Sequence, residues 1–405
     1  MNTKRINYNL RIYAIDKLFY TTKELGPIYS KTKTTFNVWS PTATELNLIE
    51  YKKDNTTSLH PMIKGKDGVF SLTLKGDLDG FIYNYQVHFD NIVNIAVDPY
   101  VKATTVNGEK GVVVNLAKTN PRNFNRMKSF SKATDAIIYE MSVRDFTVDE
   151  KASFKHKAQF LGLCETKALK YLKNLGITHV QLMPIFNFSS ESVNELKPLE
   201  KYNWGYDPVN YNVVEGAFAT DPTKPSLRIK ELKTAIKTLH DNGIRVIMDV
   251  VYNHVFDAMQ HSFEKLVPNY GFRKDDIGNF SNGSACGNDV ASDHLMIRKY
   301  IVDSVVYWAK EFKLDGFRFD LMGLLDVTTM QEIRKDVEDF APGNTEVDYF
   351  KKWELGKIRD IEKGELNGKK GSIRSINLPT GTLYGKNLME YSINLAYKSL
   401  IQELG

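Results

Sequence analysis

Apolar and polar positions alternate in several short segments of the first hundred or so residues. FNVWSP (Phe36 to Pro41), ELNLIEY (Glu45 to Tyr51), GVFSLTLKG (Gly68 to Gly76) and FIYNYQVHF (Phe81 to Phe89) alternate apolar and polar side chains. That period of two predicts half-buried strands, with Gly, Pro, Asp and Asn forming the turns between them. Short strands at this spacing, with no helix read among them, predict an all-β sandwich. The pattern fades after VDPY (Val97 to Tyr100), and the texture changes at Ala136. AIIYEMSV (Ala136 to Val143), THVQLMPIF (Thr178 to Phe186), RVIMDVVYNH (Arg245 to His254) and DGFRFDLMG (Asp315 to Gly323) are nearly continuous apolar runs. Such runs predict strands of a parallel sheet buried on both faces. Helical periodicity precedes the later three, over Glu165–Gly176, Arg228–Gly243 and Met296–Phe312. Alternating helix and buried strand predicts an α/β architecture.

Polar residues gather where these strands end: Tyr139 and Glu140, then Gln181, then Asp249 with Asn253 and His254, then Arg318 and Asp320. Chemistry collected at successive strand C-termini is the layout of a (β/α)₈ active-site rim, although one such residue alone is usually a loop anchor. The expected fold class is therefore α/β, an N-terminal β-sandwich followed by an incomplete (β/α)₈ barrel of about four βα units. The expected units are residues 1–125, 126–342 and a divergent tail 343–405, which ends in an amphipathic helix over Asn387–Gly405.

Composition narrows the function classes. The chain has 405 residues, 42% hydrophobic and 25% charged, as in ordinary globular proteins. Its net charge of +5, from 54 basic and 49 acidic residues, is spread along the chain without a dense basic block. Nucleic acid is therefore not an expected partner. Two cysteines, Cys164 and Cys286, lie far apart, which suggests a reducing compartment and no metal-ligand spacing. The N-terminal twenty residues build no continuous apolar segment with a cleavage site, and no stretch reaches membrane-spanning length. A cytoplasmic location without a membrane partner is the expectation.

Two segments carry candidate chemistry. In GFRFD, Arg318 and Asp320 stand two apart in a strand and share a side. An arginine there lowers a carboxyl pKa, which suits a nucleophile that must stay ionised; the same pair also occurs as a structural ion pair. In DVVYNH, Asp249 lies near the strand end, and Asn253 and His254 follow in the loop, where they can hydrogen-bond sugar hydroxyls.

DVVYNH and GFRFD resemble the first and second signature regions of the α-amylase family, glycoside hydrolase family 13. YNWGYDP (Tyr202 to Pro208) resembles the hallmark of its type I pullulanase branch, the α-1,6 debranching enzymes. The likeness runs through YNVVEGAFATDP, RVIMDVVYNHV and FSNGSACGNDVAS to DVTTMQEIR, and FNVWSPTATELNL resembles the starch-binding-type sandwich that precedes the barrel. In all it covers roughly residues 30–342.

The resemblance implies a retaining mechanism on a branched α-glucan, with Asp320 as nucleophile and Arg318 holding it ionised. It implies sugar-binding or supporting roles for Asp249, His254 and Tyr206, with Trp204 and Asp207 in the same loop; Trp204 and Tyr202 read equally as loop-packing aromatics. No cofactor is implied, and a structural calcium is left unassigned for want of EF-hand spacing. A glucan branching enzyme is the related alternative, but one not expected to carry YNWGYDP. A catalytically inactive glucan-binding protein is the other.

The family's general acid, a Glu in a Gly-Glu-Gly-Trp-like segment, is not recognisable, nor is its later Asp beside a His. Glu346 and Glu354 fall in the right neighbourhood, and WELG (Trp353 to Gly356) is a weak echo of the motif, yet both glutamates read as surface residues. After residue 342, 405 − 342 = 63 residues remain, room for at most two units of roughly 30 residues each. The expectation is a truncated or rearranged member of the branch, marginally stable, with barrel edges open to self-association.

Overall fold

The computed structural model describes residues 3–275 and 277–340, with two short segments at 365–366 and 369–370. It opens with a helix that the alternation does not predict: α1 (Thr3–Phe19). Ile12 and Ile15 are buried and Tyr8 and Phe19 pack on the core, a spacing of 4, 3 and 4 along one helical face. Leu10, Tyr13 and Leu18 stand on the opposite face, at 60%, 63% and 66% exposure. These residues on a second face blur the helical period, so from sequence the segment shows only an alternation of polar and apolar residues.

The sandwich follows. One sheet takes β1 (Gly26–Tyr29), β2 (Lys33–Trp39), β5 (Ile63–Lys64) and β6 (Val69–Lys75) in the order β1-β2-β6-β5. The other takes β3 (Glu45–Tyr51), β4 (Thr57–Pro61), β7 (Ile82–Phe89) and β8 (Ile92–Ala96) in the order β4-β3-β7-β8, with β9 (Gly111–Val112) also on β7. Phe36, Leu46, Leu48, Tyr83, Tyr85 and Val87 are fully buried between the sheets, as alternation requires. The two tyrosine hydroxyls donate to Asp98 Oδ2 at 2.9 and 3.0 Å, so the buried carboxylate has partners.

The last sandwich strand ends at Val112, and the next strand of a large sheet starts at Ile138. β10 (Ile138–Met141), β11 (His179–Leu182), β14 (Arg245–Val250) and β15 (Gly316–Phe319) form a parallel sheet in that order. Between them lie α2 (Val143–Val148), α3 (Thr166–Asn174), a β12 (Phe186–Phe188) and β13 (Pro208–Val214) hairpin, α4 (Pro225–Asp241), α5 (Ser262–Leu266) and α6 (Leu295–Phe312). α7 (Val327–Phe340) follows β15. Each strand is shorter than its apolar run, because the run continues into the loop past the last ladder bond. Strands β11 and β14 are buried almost throughout, as expected. Strand β10 is not: it stands at the sheet edge, with Glu140 exposed and Ile138 and Tyr139 half-buried. Its apolar composition reads as two-sided burial, but an edge position supplies neighbours on one side only.

α1 ties the units together. Tyr8 donates to the Phe272 carbonyl at 3.0 Å, Tyr270 donates to Asp16, and the Trp39 indole donates to the Phe19 carbonyl at 2.9 Å. Among the described residues no helix is long and apolar enough to cross a membrane.

Candidate active site

Parallel register sets the site. Asp249 on β14 pairs with Arg318 on β15, so their side chains rise from the same level on the same face. Asp320 follows directly after β15, where its N–H still donates to the Val250 carbonyl at 2.9 Å. The next residue, Leu321, has φ +42°, a left-handed conformation that turns the chain sharply after the carboxylate. Strain of this kind in a non-glycine residue costs about 1–3 kcal/mol and clusters at functional positions.

One guanidinium nitrogen holds both acids. Arg318 Nη1 donates to Asp249 Oδ1 and Oδ2 at 3.0 and 3.1 Å, and to Asp320 Oδ1 at 2.9 Å. Asp249 is fully buried, and its second partner is the Tyr206 hydroxyl at 2.8 Å. Burial pushes the Asp249 carboxyl up to about 7, against the opposing pull of Arg318 and Tyr206. Burial works against the Arg318 charge as well, yet the two aspartates carry it above the ordinary arginine value. The Asp320 side chain is 13% exposed and Asp249 not at all, so of the two acids Asp320 is the one that solvent reaches.

Asn253 and His254 close the arrangement. Asn253 Nδ2 donates to the Asp320 carbonyl at 2.7 Å and to Asp320 Oδ2 at 3.2 Å. Its Oδ1 lies 2.5 Å from His254 Nδ1, while His254 Nε2 meets the Tyr206 carbonyl at 2.9 Å. Tyr206, Asp249, Arg318, Asp320, Asn253 and His254 thus form a continuous ring of hydrogen bonds. Burial lowers the His254 pKa, while the Tyr206 carbonyl and the Asp320, Asp207 and Asp289 charges favour its protonated form.

The aromatic loop is built for presentation. Gly205 has φ +92°, and a Cβ there would stand 3.1–3.3 Å from Pro184 and Phe188 atoms, so glycine is required. Trp204 is 59% and Tyr202 55% exposed, in an edge-on pair with centroids 6.3 Å apart. Tyr202 is fixed from below by Asp145, its hydroxyl donating at 2.9 Å, with the Arg144 guanidinium 5.1 Å from its ring centre. Tyr206 is half-buried, and its hydroxyl pKa is raised by burial and by Asp249.

Two sequence expectations change here. Asn253 is fully buried with both amide ends committed, so it has no group to offer a sugar hydroxyl. Asp207 accepts from Ser192 Oγ at 2.5 Å and Asn203 Nδ2 at 2.8 Å, which makes it the clamp of its own loop. A short polar residue at a strand end suits ligand and scaffold alike, and only the partners tell them apart. Glu346, Glu354 and the helix expected over Asn387–Gly405 lie outside the described residues.

A buried charge cluster at the base of the loop gave no sequence signal. Glu195 and Arg228 make a two-pronged pair at 2.9 and 2.6 Å, both almost fully buried. Beside them Glu215 accepts from Ala217 N, Phe188 N and Asn187 Nδ2. Burial, followed by the neighbouring Glu195, pushes Glu215 up to about 8.

An antiparallel sandwich thus stands ahead of strand–helix units whose strand ends bear Asp, Arg, Asn and His, an α/β chain with an N-terminal β-sandwich. Residues 24–101 match the carbohydrate-binding module 48 family (isoamylase N-terminal domain), and residues 150–277 match the alpha amylase catalytic domain. A pullulanase of Bacillus subtilis (strain 168) is 42% identical over 346 residues, covering 82% of this chain and 47% of that protein. The pullulanase of Anoxybacillus sp. LM18-11 complexed with maltotetraose superposes with a TM-score of 0.79 at 46% identity, over 82% of this chain and 50% of that one. The pullulanase of Paenibacillus barengoltzii in complex with maltohexaose and alpha-cyclodextrin gives 0.79 at 43%, over 81% and 53%. The chain belongs to the α-amylase family, in its pullulanase group, and spans about half the length of these relatives.

Proposed function

We propose that this chain is a pullulanase-type glycoside hydrolase acting on α-1,6 branch linkages of an α-glucan by a retaining mechanism. Asp320 attacks the anomeric carbon and forms a glycosyl-enzyme as the glycosidic bond breaks; Arg318 pairs with it; Tyr206 binds the sugar at the cleavage subsite; His254, buried with both ring nitrogens facing protein oxygens, supports Tyr206, and Asp249 supports Arg318 and Tyr206 from beneath. Trp204 receives a further glucose ring on its open face. The observation that carries this reading is the Asp320 carboxylate itself, partly open to solvent and gripped by Arg318 and Asn253. The oligosaccharide-bound pullulanases that share its fold support a glucan as ligand. The four parallel strands are, in this reading, the first half of an eight-stranded barrel. Edge strand β10 supports self-association of copies, which light scattering tests. The deciding experiment is release of maltotriose from pullulan by the purified chain, abolished in Asp320→Asn. A folded wild-type sample that releases none removes the activity.

A second reading, glucan binding without turnover, is favoured by one observation. The carboxylate that shares Arg318 with Asp320 is Asp249, which is fully buried and committed to two partners. It cannot protonate a leaving oxygen. Retarded migration in glycogen-containing gels, without hydrolysis, is the outcome this reading expects.

A further inference from the structure

The ring of hydrogen bonds contains one contact pattern that an attacking Asp320 does not by itself require. The Asn253 amide N–H group faces two oxygens of one residue, the Asp320 carbonyl and Asp320 Oδ2. Both accept only, so the amide cannot be turned over without placing oxygen against oxygen. Its Oδ1 is thereby aimed at His254 Nδ1, 2.5 Å away. On the other side of the imidazole, Nε2 faces the main-chain oxygen of Tyr206 at 2.9 Å. Neither oxygen can donate. Each ring nitrogen therefore needs its own hydrogen if both contacts are hydrogen bonds, and that describes the imidazolium. A neutral ring has one N–H, and one of these contacts would then set two lone pairs face to face. Rotation of the Asn253 amide relieves the clash, but it withdraws a donor from Asp320 and presents an oxygen to its carboxylate.

We propose that Asn253 is a positioning residue that couples the hold on the Asp320 carboxylate to the protonation of His254. The inference rests on reading Asp320 as the attacking group. While His254 carries both protons, Asn253 donates to Asp320; once His254 loses the Nδ1 proton, the amide turns and releases it. The charges facing His254 come from three elements: Asp320 after β15, Asp207 in the aromatic loop and Asp289 in the 280–292 loop, and all favour the imidazolium. Arg318 and Asp249 stand behind Asp320 in the same network. Burial draws the change to the acid side of the usual imidazole range.

The test uses the full chain with ¹⁵N-labelled histidine. There are eight histidines, and the His254 signals are those lost in His254→Gln. In the wild type at pH 5, both His254 nitrogens should show protonated shifts. Asn253→Ala removes the acceptor at Nδ1 and should lower the titration midpoint by about one pH unit. Asn253→Asp keeps an acceptor there, adds a negative charge and should raise it. A wild-type His254 whose Nδ1 is bare at pH 5 overturns the proposal, as does a midpoint unmoved by Asn253→Ala. The wild-type measurement decides the matter even if a variant fails to fold. The readout needs no turnover: absence of pullulan hydrolysis would count against the role of Asp320 and leave the titration result standing.

Discussion

The Asp249 carboxyl makes a quantitative claim about stability. It is fully buried, and its pKa is raised from 3.8 to about 7. A group whose native pKa lies above its unfolded value stabilises the fold at low pH and loses that contribution as pH rises through the native value. At about 1.36 kcal/mol per unit, a rise of roughly three units amounts to about 4 kcal/mol between strongly acid and alkaline conditions. Over the accessible interval from pH 5 to pH 8, integrating the two titration curves leaves about 2.5 kcal/mol. Asp249→Asn keeps an oxygen for Arg318 and Tyr206 but removes the ionisation. Urea unfolding followed by tryptophan fluorescence, with fully buried Trp308 as one reporter, gives the stability of both proteins at each pH. The wild type should lose about 2.5 kcal/mol more than the variant on going from pH 5 to pH 8. Glu215 is raised in the same direction, but it is present in both proteins and cancels. Parallel stability profiles, within about 0.5 kcal/mol, would refute the assignment of a neutral buried carboxyl to this position.

Other perturbations have equally definite outcomes. Arg228→Met leaves Glu195 buried without its counter-charge, which should cost about 3–5 kcal/mol in denaturant unfolding, and Glu195→Gln in the same chain should recover much of it. Gly205→Ala puts a side chain at φ +92° against Pro184 and Phe188, for a loss of about 1–3 kcal/mol by thermal unfolding and weaker glucan retention in affinity gels. Burial raises both thiols, but Cys286 is exposed whereas Cys164 is half-buried, so mass spectrometry after brief alkylation should find label on Cys286 first.

What the sequence reveals depends on whether a signal is local. Strands β11 and β14 are legible because two-sided burial demands an unbroken apolar run, and α4 and α6 because one face repeats at helical spacing. α1 is illegible because Leu10, Tyr13 and Leu18 add a second apolar face, and β8 because Ile92, Val93 and Ile95 are exposed rather than alternating. In the site, Asp320, Arg318 and Tyr206 are found from motifs that span a few residues. The duties of Asn253 and Asp207 are not: the acceptor of the Asn253 amide lies 67 residues away, and one donor to Asp207 lies 15 residues upstream. The Glu195–Arg228 pair joins residues 33 apart across a loop, a distance at which no spacing rule operates.

The proposed double displacement divides into two halves that make different demands on the site. Every bond of the polar ring lies between β14, β15, the turns that follow them and the 202–208 loop, which are neighbours in space. The environment that orients Asp320 is therefore assembled by adjacent elements alone. The protonating carboxyl must sit about 5–5.5 Å from the nucleophile and face the scissile oxygen. Asp249 satisfies neither its exposure nor its freedom, because Arg318 and Tyr206 occupy its oxygens. A substrate whose leaving group needs no proton isolates the first half. With an α-maltosyl fluoride, attack by Asp320 forms the C1–O ester and expels fluoride, so a burst approaching one fluoride per chain is expected. Asp320→Asn should abolish the burst, and Arg318→Met should slow it by freeing Asp320 from its cationic partner. Intact-mass detection of the maltosyl adduct on the wild type checks the bond directly. A wild-type chain that is folded and retains its glucan affinity, yet gives neither burst nor adduct, would show that the grip on Asp320 is an ion pair of the scaffold and not the preparation of a nucleophile.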